Sequence, residues 1–234
     1  MKDKIEFETY LYIDEKKFII CVIQNPSFEI IYSEQMLSEN FDNDLILKKL
    51  DEFLEKNIFK VENILNNFIQ NITIILGTKK FFTVKLSIKK NNYGNTINSN
   101  SLLNPLNDLK NSCQSNFRDK KIIHILINNY LIDNKNYSSL PQNLKCNFFC
   151  LDVNFICLPK DLIKNLETIL KKYHILVSHI LCASYLESFS SENHQNIFTT
   201  ASRVKSGWNE NEVLLVSKTQ KNKGFFEKFF DFFS

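Results

Sequence analysis

The chain has 234 residues, of which 44% are hydrophobic and 24% charged, with a formal net charge of +3. That supplies a core for one large domain or two small ones, and it excludes a disordered tail protein, a collagen and a polybasic nucleic-acid binder. Apolar runs stay well under the roughly 18 residues of a membrane-spanning helix, and Met1-Lys2-Asp3-Lys4-Ile5-Glu6 lacks the apolar stretch of a signal peptide, so a cytoplasmic chain is expected.

Residues 5–13 and 18–24 read as two strands joined by the polar link Asp14-Glu15-Lys16-Lys17, which suits a tight hairpin. Phe28-Glu29-Ile30-Ile31-Tyr32 is a third strand. Asp44 caps a helix whose apolar residues are Leu45, Leu47, Leu50, Phe53 and Leu54, continued weakly by Val61 to Leu65. Ile72 to Leu76 is a strand ended by Gly77, and Phe81 to Ile88 alternates apolar and polar residues as a half-buried strand does. The order β-β-β-α-β-β fits half of an actin-like or RNase-H-like unit, and also many α+β domains. Residues 89–104 are polar and rich in Asn and Ser, which predicts a domain boundary there. A short helix from Pro105 to Asn116 follows, then a strand at 122–127 extended through Tyr130–Asp133, a loop at 134–143, and a long or bulged strand at 144–158. Pro159 is placed to start a helix with Asp161 in its first turn, and a last strand ends at Cys182. Residues 190–222 read as a polar linker carrying the single tryptophan, Trp208, with Val213–Val216 as a stray strand or an interaction peptide.

Chemistry-bearing motifs are few. The four glycines, Gly77, Gly94, Gly207 and Gly224, are dispersed, so no glycine-rich loop is available to cradle a phosphate. The six cysteines include the cluster Cys146, Cys150 and Cys157, but no C-x-x-C pair and no histidine at zinc spacing; they read as small apolar strand residues and no metal is expected. His124 sits in the apolar run Ile122–Leu126 and reads as a satisfied core or edge residue. No catalytic constellation has local support, and the chain is read as non-enzymatic.

The end of the chain carries the strongest pattern. Phe225, Phe226, Phe229, Phe230 and Phe233 share one face of a helix over 223–234, Glu227, Lys228 and Asp231 take the other, and Phe232 is off the stripe. Lys221 and Lys223 precede it. Each buried Phe yields about 1.5–3 kcal/mol, so the segment is expected to bind anionic lipid reversibly through these phenylalanines with Lys221, Lys223 and Lys228 at the headgroups.

Residues 122–189 resemble FtsA, the bacterial actin-like division protein. Ile123 to Asp133 is similar to the family's H-V-I-P-Q-x-Y-x-(I/V)-D, Pro141 to Cys157 to its following loop and strand, and Leu162 to Cys182 to its helix and strand. The resemblance implies a subdomain of 1A type over 1–90, one of 1C type over 91–190, a linker or core remnant at 191–222 and a membrane-targeting helix at 223–234. The fold class it implies is α/β (α+β), a truncated actin-like half followed by a strand–helix–strand–strand unit. Where the family's first phosphate loop reads D-I-G-T-(S/T)-K, this chain has Tyr12-Ile13-Asp14-Glu15-Lys16-Lys17, placing two carboxylates where phosphates would lie. No ATP or other cofactor is therefore expected, with Asp14, Glu15, Lys16 and Lys17 as a degenerate loop. The resemblance further implies an adaptor at the inner face of the cytoplasmic membrane, at the division site, with division proteins meeting the 1C-type unit, self-association, and no nucleic acid. Contact with FtsZ lies in the family on subdomain 2B, for which the chain has no room, and is the weakest of these expectations. A scaffold of the PilM type, which shares the fold, is the alternative.

Overall fold

The structure, a computed structural model, describes residues 6–37, 46–193 and 196–214. The chain divides into two compact units, one formed by residues up to 81 together with 159–206, the other by 82–158 together with 207 onward.

The first unit is built on a five-stranded sheet of order β3-β2-β1-β4-β9. β1 (Glu6–Asp14) and β2 (Lys17–Asn25) form the expected hairpin, in register from Glu6 opposite Asn25 to Ile13 opposite Phe18. β3 (Glu29–Leu37) runs five residues beyond the expected strand, because it pairs along all of β2 from Gln24 to Lys17. β4 (Asn71–Gly77) lies parallel to β1, and β9 (Leu176–Cys182) parallel to β4. Three antiparallel strands, β3-β2-β1, continued beyond β1 by two parallel ones, β4 and β9, make the sheet of an actin-like, RNase-H-like half.

Side-chain alternation assigns the two faces. α1 (Ile46–Leu65) is one 20-residue helix that continues through the stretch read as weak; Asp44 and Leu45, expected at its start, lie outside the described residues. Its buried positions, Leu50, Phe53, Leu54, Asn57, Ile58 and Val61, follow the 3.6-residue period, and Phe53 packs against Phe18 at 6.0 Å between ring centroids. Asn57 ties the helix to the sheet: its Nδ2 donates to the Phe53 carbonyl at 2.8 Å and its Oδ1 accepts from the Tyr32 hydroxyl at 2.9 Å. α3 (Lys160–Lys171), with Pro159 at its N-cap, lies beside α1, where Lys172 Nζ donates to Asp51 at 2.6 Å and the Tyr173 hydroxyl does so at 2.9 Å. The opposite face is met by α5 (Ile197–Lys205), whose Phe198 lies 6.0 Å from Tyr10; α4 (Ala183–Asn193) precedes it. The linker-like composition of 190–222 gives no sign of α5.

The start of β1 is tied to α5 by Glu8. Its carboxylate accepts from the Tyr10 hydroxyl, from Ser202 Oγ at 2.9 Å and from Lys205 Nζ at 2.9 Å. Burial alone would raise the Glu8 pKa, but the Lys205 ammonium and the two hydroxyls outweigh it and hold the group below the ordinary carboxylate value. A lowered folded-state pKa makes this contribution fully present above the unfolded carboxylate pKa and loses it as pH falls through the folded value. Lys205→Met is therefore expected to cost about 1–2 kcal/mol near neutrality, discounted for partial exposure, and less in acid. Thermal unfolding at pH 7 and pH 3 checks this; an equal penalty at both would refute it.

The second unit has a four-stranded sheet of order β5-β8-β6-β7. β5 (Phe82–Asn91) and β8 (Phe148–Pro159) pair along their full shared length. β6 (Lys120–Ile132) is continuous, and β7 (Lys135–Tyr137) folds back on it inside the region read as a loop. α2 (Ser99–Asn116) begins six residues earlier than expected, because Asn98 and Ser101 form a capping box that a polar Asn/Ser run conceals; Pro105 sits within the helix. α2 covers one sheet face, and Leu102, Leu106, Leu109, Ile125, Ile127, Leu151, Val153 and Phe155 close the core between them. The other face carries polar pairs such as Ser87 with Asp152 at 2.5 Å.

The boundary expected at 89–104 is not where the units divide. β9 and α4 belong with β1–β4, not with β6–β8. The reason is β4: Ile72 to Leu76 are all buried, so the strand is central and needs a neighbour on each edge. A parallel neighbour requires a crossover, which α3 supplies, and residues 82–158 are inserted before it. Within 191–222, read as a linker or a core remnant, residues 197–205 are helical and 211–213 pair with β6.

Candidate functional site

The strands β1, β4 and β9 end together, and their C-terminal ends open a cleft of about 340 Å³ lined by Asp14, Glu15, Lys16, Gly77, Lys79 and Glu187 among others. In parallel α/β sheets this end is where ligands bind. The hairpin Asp14–Lys17 lies here.

Asp14 does not present its charge outward in the manner expected. Its Oδ1 accepts from the backbone N–H groups of Lys16 and Lys17, each at 2.7 Å, and Oδ2 accepts from the Tyr12 hydroxyl at 3.0 Å. The amides that would converge on a bound phosphate are spent on the hairpin's own carboxylate. Tyr12 is accordingly held protonated: burial, then the Asp14 charge, then Glu187, push its pKa well above the ordinary phenol value. Glu15 pairs with Lys79 across 3.7 Å in an exposed ion pair, and Lys17 lies 5.2 Å from the Tyr12 ring centroid. Gly77 permits this packing. A Cβ there would lie 2.9 Å from Asp14 Cβ and 3.1 Å from the Tyr12 hydroxyl.

The residues present do not fit a nucleotide triphosphate. Three carboxylates line the cleft, two hairpin amides are already satisfied, and no glycine pair provides a second loop. Among the described residues, no group of three or more His, Cys, Asp or Glu side chains is arranged to hold a metal ion.

The remaining sequence candidates fall as follows. Cys113 and Cys157 meet in the core with sulfurs 4.0 Å apart, and burial pushes the Cys157 thiol up to about 12, so it stays protonated. His124 is buried and satisfied, as its apolar run suggests; its Nδ1 lies 2.7 Å from Glu212 Oε1. Glu212 was missed by sequence reasoning, although a histidine inside an apolar strand signals the need for a polar partner. Lys221, Lys223, Phe225, Phe226, Lys228, Phe229, Phe230 and Phe233 lie outside the described residues. Within the described residues no helix is long and apolar enough to cross a membrane.

No family model matches the chain, and no curated protein matches it in sequence. Solved structures are similar to it in part. The cytoplasmic domain of EpsL, an inner membrane component of the type II secretion system of Vibrio cholerae, matches over 77% of this chain and 57% of its own, at 12% identity and a TM-score of 0.37. The PilM–PilN type IV pilus biogenesis complex matches over 80% and 50%, at 6% identity and a TM-score of 0.49. A Bacteroides thetaiotaomicron protein with actin-like ATPase fold matches over 80% and 56%, at 14% identity and a TM-score of 0.32. The chain thus spans about half the length of each. The class defined here, a mixed α/β chain with an actin-like half and an inserted α+β unit, rests on strand order and direction.

Proposed function

We propose that the chain is a non-enzymatic scaffold that works at a membrane surface, an actin-like fold whose phosphate-facing hairpin has its amides taken by Asp14 and whose C-terminal segment serves as a lipid anchor. The observation that carries the non-enzymatic part is the Asp14 carboxylate, which takes the Lys16 and Lys17 amides for itself. The anchor rests on the spacing of Phe225, Phe226, Phe229, Phe230 and Phe233 and on Lys221, Lys223 and Lys228 beside them. The finer reading is an FtsA-like adaptor that holds division proteins at the inner face of the cytoplasmic membrane. It is supported by the sequence likeness over 122–189.

Co-sedimentation with anionic vesicles tests the anchor, using the full chain and a chain ending at Lys223, each with and without ATP. Binding is expected for the full chain alone, with no change on adding ATP. Equal binding by the two chains refutes the anchor, and ATP-dependent binding refutes a hairpin whose amides are taken by Asp14. Imaging of the tagged full chain in dividing cells separates the finer readings. A mid-cell band supports the division adaptor, whereas a focus at a pilus or secretion assembly, the settings named for PilM and EpsL, overturns it.

A further inference from the structure

The chain passes between its two units at three places, near 81, 158 and 206. The first two passages carry whole strands and helices with them. After the third, only a short described stretch, 207–214, belongs to the second unit. It leaves α5 through Gly207, whose φ of +82° favours glycine. A turn follows, closed by Asn209, which accepts from the Asn211 N–H at its Oδ1 and from the Glu212 N–H at its carbonyl, both at 3.0 Å. Residues 211–213 then run antiparallel along β6, with Leu126 opposite Glu212.

The contacts of this stretch are compact and specific. The Ile127 N–H donates to the Asn211 carbonyl and the Val213 N–H to the Ile125 carbonyl, each at 2.9 Å. Asn211 Nδ2 donates to the Ser138 carbonyl at 2.8 Å, and its Oδ1 accepts from Tyr130 at 3.3 Å. Val213 enters the core of the unit and is 5% exposed. Glu212 meets His124 with both side chains almost fully buried. An acceptor, an acid and an apolar residue in succession therefore read three matching features of β6.

We infer that the edge of β6 over 125–127 is a strand-addition site, filled in one copy by its own residues 211–213 and able to take the same residues from a second copy. Ile125, Ile127, His124, Tyr130 and Ser138, which receive the segment, are presented identically by another molecule. Exchange reroutes one short connection, Ser206–Glu210, and breaks no other strand pairing. Short hinge connections favour this kind of exchange between copies. The inference stands independently of the membrane anchor.

The test uses the full chain and a synthetic peptide of sequence 207–216, followed by hydrogen exchange at single amides. Displacement predicts a signature that simple loosening does not give. The Val213 amide of the protein loses protection as peptide is added, while the Ile127 amide keeps it, because the peptide's own carbonyl replaces that of Asn211. The Glu212→Gln peptide is expected to bind roughly tenfold more weakly, because an amide replaces the carboxylate that lies 2.7 Å from buried His124 Nδ1. No change at Val213 with saturating peptide overturns the inference, as does loss of protection at both amides together. Sedimentation of the full chain without peptide supplies the second arm. A dimer that grows with concentration and is reversed by the peptide supports exchange between copies, and a strict monomer overturns the second copy as the occupant.

Discussion

Replacing His124 by leucine is expected to destabilise the protein by about 3–5 kcal/mol, because it removes the 2.7 Å contact between Nδ1 and the buried Glu212 carboxylate. The two side chains are 1% and 5% exposed, so water cannot take the place of the lost contact. Removing both partners is a different experiment. The double replacement by leucine removes both polar side chains together, and most of the loss is expected to return. Trp208, the single tryptophan, lies four residues before Glu212 and provides a local fluorescence signal for urea unfolding beside the global one from circular dichroism. A double variant as unstable as the single one would show that the site needs the polar contact itself.

The second large effect is expected at Gly77. Valine there is expected to cost about 3 kcal/mol, since its Cβ would fall 2.9 Å from Asp14 Cβ, the rigid root of a strand side chain. Alanine places the same Cβ and is expected to cost about 1–3 kcal/mol. Relief requires Asp14 to move, and movement takes its carboxylate off the Lys16 and Lys17 amides. Amide exchange at these two positions should therefore quicken in Gly77→Ala even under conditions where the whole chain stays folded. Unchanged exchange, with unchanged melting temperature, would show that the strand ends have room to spare.

Local patterns were legible where the chain's contacts are local. The β1–β2 hairpin was readable because two apolar runs flank a polar link, and α3 because Pro159 and Asp161 mark its start. The helix α2 was half concealed, since the Asn98–Ser101 cap looks like low complexity in a chain rich in both residues. What could not be read was partnership across long separations. β4 finds β9 more than a hundred residues later, and nothing in either strand names the other. The same holds for His124 and Glu212, separated by 88 positions. At the candidate site, the sequence placed Asp14 correctly at the hairpin, but not the direction of its carboxylate, which depends on Tyr12 and on the space left by Gly77.

The split of the first unit also sets an order of events during synthesis. β1 to β4 leave the ribosome first, yet β4 lacks its second neighbour until Cys182 has emerged. Until then the apolar run Ile72–Leu76 presents an unpaired edge, the kind of surface that recruits chaperones or other nascent chains. The inserted residues 82–158 are contiguous, and they can gather their helix and sheet while that edge waits. At elongation rates of about 5–20 residues per second, the roughly hundred residues between β4 and β9 hold it open for some 5–20 seconds.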